Sequence, residues 1–232
     1  MTTFVTFFHK RPNATDEDMS IFFTRFHKLA ESNVPILLFM DAQCRSQGEQ
    51  LEKTYSNVRI PMYVELPTIP TQYSLPKVRC EKKDTIEFMI FMLQKFKYMS
   101  HASCLVETPG LAFVDFGIFK IFPEPVTGAA QAKLRQLAMA EPKSDTLIYN
   151  PGCLGPIPEA DLHEKILWRY CGGFFWGRKE LFREAYVRQT ALVAKELPKY
   201  TWEVNYWTRM DDLFCWFKAD HNLEILNIID SL

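Results

Sequence analysis

The sequence predicts an α/β fold, a Rossmann-like sheet with helices on both faces. Two observations predict it. Short apolar runs rich in β-forming residues alternate with segments of helical period through the first half of the chain. That alternation is the mark of parallel βαβ units. Two of the runs also end in a carboxylate, Asp41 and Asp115. The second run, Leu111-Ala112-Phe113-Val114-Asp115-Phe116-Gly117, is the one around which the chain is arranged. It follows the turn-forming Thr108-Pro109-Gly110 and reads as a buried strand. A carboxylate buried without a partner is costly, so Asp115 belongs where the strand meets solvent or a compensating ligand. In open α/β sheets ligands collect beyond the carboxyl ends of strands, which makes Asp115 the first candidate. The alternative at this point is a turn-capping aspartate.

Phe4 to Phe8 is the opening strand, stopped by the polar turn His9-Lys10-Arg11-Pro12-Asn13. The end of an opening strand is a common place for a nucleotide, which brings in Phe4, Thr6 and Arg11. Asp16-Glu17-Asp18 opens a helix whose apolar face runs Ile21, Phe22, Phe26, Leu29, and Asn33 closes it. Val34 to Met40 is the second strand, with Asp41 at its end. A weaker helix spans 46–56. A third strand spans 57–66, where Pro61 implies an edge or a bulge. Residues 67–76 hold three prolines and read as loop. One long helix is expected over 84–99, its Phe and Met stripe belonging to the core. The second half is less regular. It holds a helix over 129–140, a short strand over 146–149, and a Pro- and Gly-rich loop over 150–158. Next come an apolar segment over 166–177 and helices over 178–196 and 202–210. A last strand spans 213–218, followed by Ala219-Asp220-His221-Asn222.

With 232 residues, 47% hydrophobic and 14% aromatic, the chain can bury a substantial core. No linker, repeat or low-complexity segment divides it, so a single domain, residues 1–232, is expected. The net charge of −1 argues against nucleic acid. Lys77, Arg79, Lys82 and Lys83, interrupted by Glu81 and Asp84, suit a mixed surface or a phosphate contact. Six scattered cysteines without a CxxC pair suit free thiols in a reducing compartment. Neither a signal peptide nor a run long enough for a transmembrane segment is evident. Cytoplasmic location is expected, and exposed aromatics leave contact with a membrane surface open. There is no G-x-G-x-x-G and no P-loop signature. Asp115-Phe116-Gly117 spells the kinase metal motif, but neither a glycine-rich loop nor His-Arg-Asp accompanies it.

Four segments in order carry a resemblance. They are Phe113-Val114-Asp115-Phe116-Gly117-Ile118, Cys171-Gly172-Gly173-Phe174-Phe175-Trp176-Gly177, Trp202-Glu203-Val204-Asn205, and Trp216-Phe217-Lys218-Ala219-Asp220-His221-Asn222. Together with Lys83 to Phe88 and Lys95 they resemble the HtrL/YibB-type proteins, placed among GT-A-fold glycosyltransferases. The likeness runs from Phe4 to Asn222. It implies a single-domain GT-A-like mixed sheet, with a nucleotide-binding half to about residue 125 and an acceptor-side half beyond it.

The implied activity is transfer of a sugar from a UDP- or GDP-linked donor to a glycan or other hydroxyl acceptor, assisted by Mn²⁺ or Mg²⁺. Asp115 matches the first aspartate of the family's Asp-x-Asp motif, and Gly117 stands where the second would be. His221 matches a histidine that completes the metal shell in related folds. By the same analogy Glu203 is the acid nearest the reacting sugar. Phe4, Thr6, Arg11, Asp41, Lys95, Asp115 and Gly117 fall on the donor side. Gly172, Gly173, Phe174, Trp176, Trp202 and Asn205 fall on the acceptor side. Trp176, Trp202, Tyr206 and Trp207 offer flat apolar faces to sugar. Arg169 and Arg178 read as solvated or salt-bridged surface, with a diphosphate contact as the alternative, since guanidinium matches phosphate geometry. Two other functions fit the same residues: a catalytically silent nucleotide- or carbohydrate-binding module, and a metal-dependent phosphate hydrolase using Asp115, Asp220 and His221.

Overall fold

A computed structural model describes residues 1–232 except 12–13, 66, 158–160 and 230–232. The expected turn at Pro12-Asn13, the strand end at Leu66 and the loop end at Pro158 lie outside the described residues. Among the described residues eight strands form one sheet: β1 (Thr2–Phe8), β2 (Ile36–Asp41), β3 (Val58–Arg59), β4 (Tyr63–Val64), β5 (Gly110–Val114), β6 (Ile148–Gly152), β7 (Phe174–Arg178) and β8 (Phe214–Lys218). Their order is β3-β2-β1-β5-β7-β6-β8, with β4 beside β2. β1 is parallel to β2 and to β5. β7 is antiparallel to β5 and β6, and β8 is parallel to β6. The sheet is therefore mixed, as the resemblance implies, with β7 the strand that runs against the others.

Among the described residues seven α-helices flank it: α1 (Asp16–Ala30), α2 (Arg45–Thr54), α3 (Ile86–Met92), α4 (Lys95–Ser103), α5 (Thr127–Met139), α6 (Leu181–Glu196) and α7 (Glu203–Trp207). Strand alternation divides the core between the two faces. Phe4 and Phe8 of β1 pack with Phe26, Leu29 and Leu134 on one side. Val5 and Phe7 pack with Phe96, Met99 and Trp207 on the other. α1 begins with a reciprocal capping box between Thr15 and Asp18. It ends near Asn33, whose φ of 57° is the left-handed conformation that asparagine tolerates.

Where the elements differ from the sequence expectation, local hydrogen bonds explain it. The long helix over 84–99 is two helices. The Gln94 side-chain amide donates to Ile90 O at 3.0 Å, while its own N–H goes to Phe91 O. Gln189 Nε2 caps the freed Leu93 carbonyl at 2.8 Å. The 57–66 strand splits around Ile60-Pro61 into β3 and β4, as a proline at an edge allows. Asn150-Pro151-Gly152, expected as loop, is the end of β6 and runs parallel to Trp216-Phe217-Lys218. Arg178, expected to open a helix, closes β7 instead. The 202–210 helix lasts only to Trp207, because Met210 at φ −124°, ψ 27° is non-helical. Among the described residues no helix is long and apolar enough to cross a membrane.

Candidate active site

The chain leaves β1 toward β2 and β3, then returns to place β5 on the other side of β1. That reversal opens a crevice between the carboxyl ends of β1 and β5, where α/β sheets bind ligands. A cleft of about 760 Å³ lies there. His9, Lys10 and Arg11 follow β1 into it, and Asp115, Phe116 and Gly117 follow β5. Because β7 is antiparallel, its incoming end lies beside the outgoing end of β5, with Phe174 opposite Val114. Gly172 and Gly173 thereby reach the same rim. β8 points the same way as β6 and delivers His221 there too.

Asp115 is anchored by its backbone, its N–H donating to Gly173 O at 2.9 Å. Among the described residues its carboxylate accepts no hydrogen bond, and Lys120 Nζ at 3.9 Å is its ion-pair partner. The side chain is 28% exposed and faces the hollow rather than its own loop. Gly173 lies against it, since a Cβ there would stand 3.6 Å from Asp115 Oδ2 and 3.3 Å from Ile118 Cδ1.

Glu203 and Lys95 form a buried ion pair, Lys95 Nζ to Glu203 Oε1 at 2.5 Å, with Glu203 4% and Lys95 1% exposed. Lys95 also donates to Gly172 O at 2.6 Å. Burial works against the lysine's charge, but Glu203 and Asp115 outweigh it and hold its pKa above the ordinary value. Gly172 is glycine for a steric reason. A Cβ would come within 2.5 Å of Glu203 Oε1 and 3.0 Å of Lys95 Nζ.

His9 was not anticipated from the sequence. Its Nε2 is 3.0 Å from the Tyr98 hydroxyl, and its Nδ1 is 3.6 Å from Asp41 Oδ2. Burial holds the imidazole below its usual range, opposed by Asp41 and reinforced by Lys97. His9 is thus neutral in the folded chain at neutral pH. Its contribution to stability is complete above the ordinary histidine pKa of 6.5 and is lost as pH falls, because the unfolded chain takes up the proton first. The urea midpoint of the wild type is expected to drop between about pH 7.5 and about pH 5, and His9→Gln to flatten that drop. Equal slopes in both chains would remove His9 from the pH response.

His221 is also held below the usual histidine range, first by burial and then by Lys120, with Asp115 and Asp220 opposing. Its ring meets Trp168 edge to face at 5.0 Å. Cys171 lines the cleft, but burial pushes its thiol up to about 11, so it is protonated and a weak nucleophile.

Of the sequence-predicted site residues, the cleft brings together Arg11, Lys95, Asp115, Gly117, Gly172, Gly173, Trp202, Glu203 and His221. Lys82 and Lys83 join them, whereas Lys77 and Arg79 do not line the cleft. Other placements are corrected. Phe4, Phe174 and Trp176 are core side chains, each 0% exposed. Trp176 Nε1 is spent on Thr2 Oγ1 at 2.9 Å. Thr6 is fully buried within β1. Asp41 stands behind the cleft, accepting from Lys10 N and Gln43 N. Asn205 is a buried clamp, bonded to Leu167 N at 2.7 Å and to the carbonyls of Leu162 and Lys165. Tyr206 and Trp207 are in the core. Arg169 is held by Asp211, and Arg178 by Asp145.

No protein-family model and no curated protein matches this chain. Solved structures are similar to it, among them three at 10% identity. A 4-diphosphocytidyl-2C-methyl-D-erythritol synthase from Anaerococcus prevotii aligns over 99% of this chain and 92% of its own, with a TM-score of 0.45. The bifunctional IspDF from Campylobacter jejuni aligns over 100% of this chain but 53% of its own, with a TM-score of 0.46, so this chain spans about half of it. Mouse xyloside xylosyltransferase 1, in its apo form, aligns over 94% of this chain and 85% of its own, with a TM-score of 0.45. Likenesses this distant carry no information about residues or substrate.

Proposed function

We propose that this chain is a single-domain glycosyltransferase of GT-A type, akin to the HtrL/YibB proteins, acting on a nucleotide-sugar donor. The observation that supports it most is the composition of the crevice at the strand reversal. One carboxylate, Asp115, stands at the end of a central strand, and Lys10, Arg11, Lys82, Lys83 and Lys120 surround the same hollow. A nucleoside diphosphate needs cationic groups where charge develops on departure. The aromatic wall of Phe22, Phe88 and Phe91 offers the apolar lining that ligand clefts use.

In the reaction the acceptor hydroxyl oxygen bonds to the anomeric carbon. The bond from that carbon to the phosphate oxygen breaks, its electron pair passing to the leaving diphosphate. Lys120 and the other basic groups receive that charge, and the hydroxyl proton passes to a carboxylate or to solvent. Glu203 is held by Lys95, which in turn donates to Gly172 O, so on this reading Glu203 positions that lysine rather than meeting the sugar.

Among the described residues no cluster of three or more His, Cys, Asp or Glu side chains is arranged to hold a metal ion. A divalent cation would draw on Asp115 and His221 together with the donor's own phosphate oxygens. Magnesium commonly binds in that way, through one or two carboxylates and substrate phosphates. There it would neutralise the leaving group.

Calorimetric titration with UDP- and GDP-sugars, with and without Mn²⁺, tests the reading. Binding is expected, and no binding to any donor would overturn it. Asp115→Asn is expected to lower transfer by about two orders of magnitude or more, a loss typical of removing one transition-state contact, with thermal stability unchanged. Normal turnover in that variant would take Asp115 out of the mechanism. The engaged Glu203 favours a second reading, a silent binding module. Such a module would bind the same donors and release no nucleoside diphosphate.

A further inference from the structure

The sequence assigned the sugar-facing aromatics to Trp176, Trp202, Tyr206 and Trp207, and the structure buries all four, none more than 4% exposed. Trp168, which was not singled out, is 39% exposed and lines the cleft. Ile166 and Trp168 line the cleft, while Leu167 between them is 5% exposed and belongs to the core.

The segment carrying Trp168 is fixed on both sides. Asn205 Oδ1 accepts from Leu167 N at 2.7 Å. Trp168 O accepts from Cys153 N and Leu154 N at 3.1 and 3.0 Å. The Arg169 guanidinium makes a forked pair with Asp211, both contacts at 3.2 Å, and Arg169 O accepts from Trp216 Nε1 at 2.9 Å. An exposed indole is thus held by a clamped backbone, which is how preorganised binding surfaces are built.

We propose that Trp168 is the stacking platform for a pyranose ring, a subsite that takes a saccharide by its C–H face. This rests on the glycosyltransferase reading and adds to it the group that meets the sugar. His221 stands edge to face with the indole at 5.0 Å, so it covers at most one of the two ring faces. Around that imidazole act the charges of Lys120, Asp115, Asp220 and Lys83, and Gly172 and Gly173 line the same cleft. A flat apolar surface bordered by donors and acceptors matches a pyranose, whose apolar C–H patch is ringed by hydroxyls. A lipid chain or an apolar peptide would leave that polar border unpaired.

The test uses the wild-type chain and iodide quenching of tryptophan fluorescence. Of the five tryptophans, Trp176, Trp202 and Trp207 are at most 4% exposed and Trp216 is half-buried, so Trp168, at 39%, should be the most quenchable. Trp168→Phe is expected to lower the quenching constant, leaving the part that belongs to Trp216, and an unchanged constant would overturn the proposal. Methyl pyranosides of glucose, galactose, mannose, xylose and N-acetylglucosamine are then added to about 100 mM, a range that covers millimolar dissociation constants. At least one is expected to lower the quenching constant about twofold when half-saturating. If none protects, or if uridine or guanosine protects and no pyranoside does, the subsite is not a sugar platform. UDP and GDP titrated into the same sample by calorimetry separate this from the parent reading. Nucleotide binding without sugar protection overturns the subsite alone. Sugar protection without nucleotide binding keeps the subsite and overturns the transferase.

Discussion

Lys95→Met is expected to destabilise the fold by about 3–5 kcal/mol, the cost of breaking a buried ion pair from one side. Methionine keeps most of the volume, so the loss is electrostatic. The Glu203 carboxylate, 4% exposed, is left without its 2.5 Å partner, and Gly172 O loses its donor. For a chain of this size that corresponds to a fall in Tm of about 6–20 °C. The companion Lys95→Met/Glu203→Leu should recover much of the loss, because apolar replacement of both partners is often neutral. Thermal denaturation of the four chains of this cycle measures it. A single variant as stable as wild type would mean that the two charges do not meet in solution.

Gly152→Ala is expected to cost about 3 kcal/mol or more and to reduce soluble yield, at or above the upper end of ordinary overpacking. The added Cβ would overlap the Arg169 carbonyl oxygen and lie 2.6 Å from both Arg169 C and Trp216 Nε1. Neither neighbour can yield, because Trp216 Nε1 donates to that same oxygen at 2.9 Å. The displacement would fall on the segment that presents Trp168. Gly128→Ala in α5 is the control. Nothing lies within 4 Å of its Cβ, and removing a helical glycine should stabilise by about 0.5–1 kcal/mol. Equal soluble yields and urea midpoints for Gly152→Ala and wild type would show that β6 and the 169 carbonyl are not in this contact.

The strands with near-continuous apolar runs were legible: β1, β2 and β5 stand where period and turn residues put them, and Asp115 marks the strand end that faces the cleft. What periodicity cannot supply is which way a short apolar run points. β7 reads the same in either direction, and only its pairing with β5 makes it antiparallel. The split between α3 and α4 depends on a side-chain amide taking a backbone carbonyl, which an uninterrupted Phe and Met stripe conceals. At the site, residue type misled most for aromatics. Trp176 and Trp207 are spent on the core, Trp202 reaches the cleft but is 4% exposed, and the exposed tryptophan there lies in the irregular 166–171 segment. Asn205 was placed on the acceptor side by the resemblance, yet its side chain is taken up by Leu167 N, the Leu162 and Lys165 carbonyls and the Thr201 hydroxyl. His9 has a partner 89 positions away, beyond the reach of any local pattern.

Because every strand except β7 leaves the sheet toward the cleft, and β7 enters from it, the two ends of the sheet have separate duties. The far end, where Met1 meets Glu141 and Arg178 meets Asp145, holds none of the cleft residues. A dye or tether joined at Glu141 would therefore report on or immobilise the molecule without crowding the hollow. Changes of specificity, in turn, should accumulate in the connections on the other side and leave the folding of the sheet untouched.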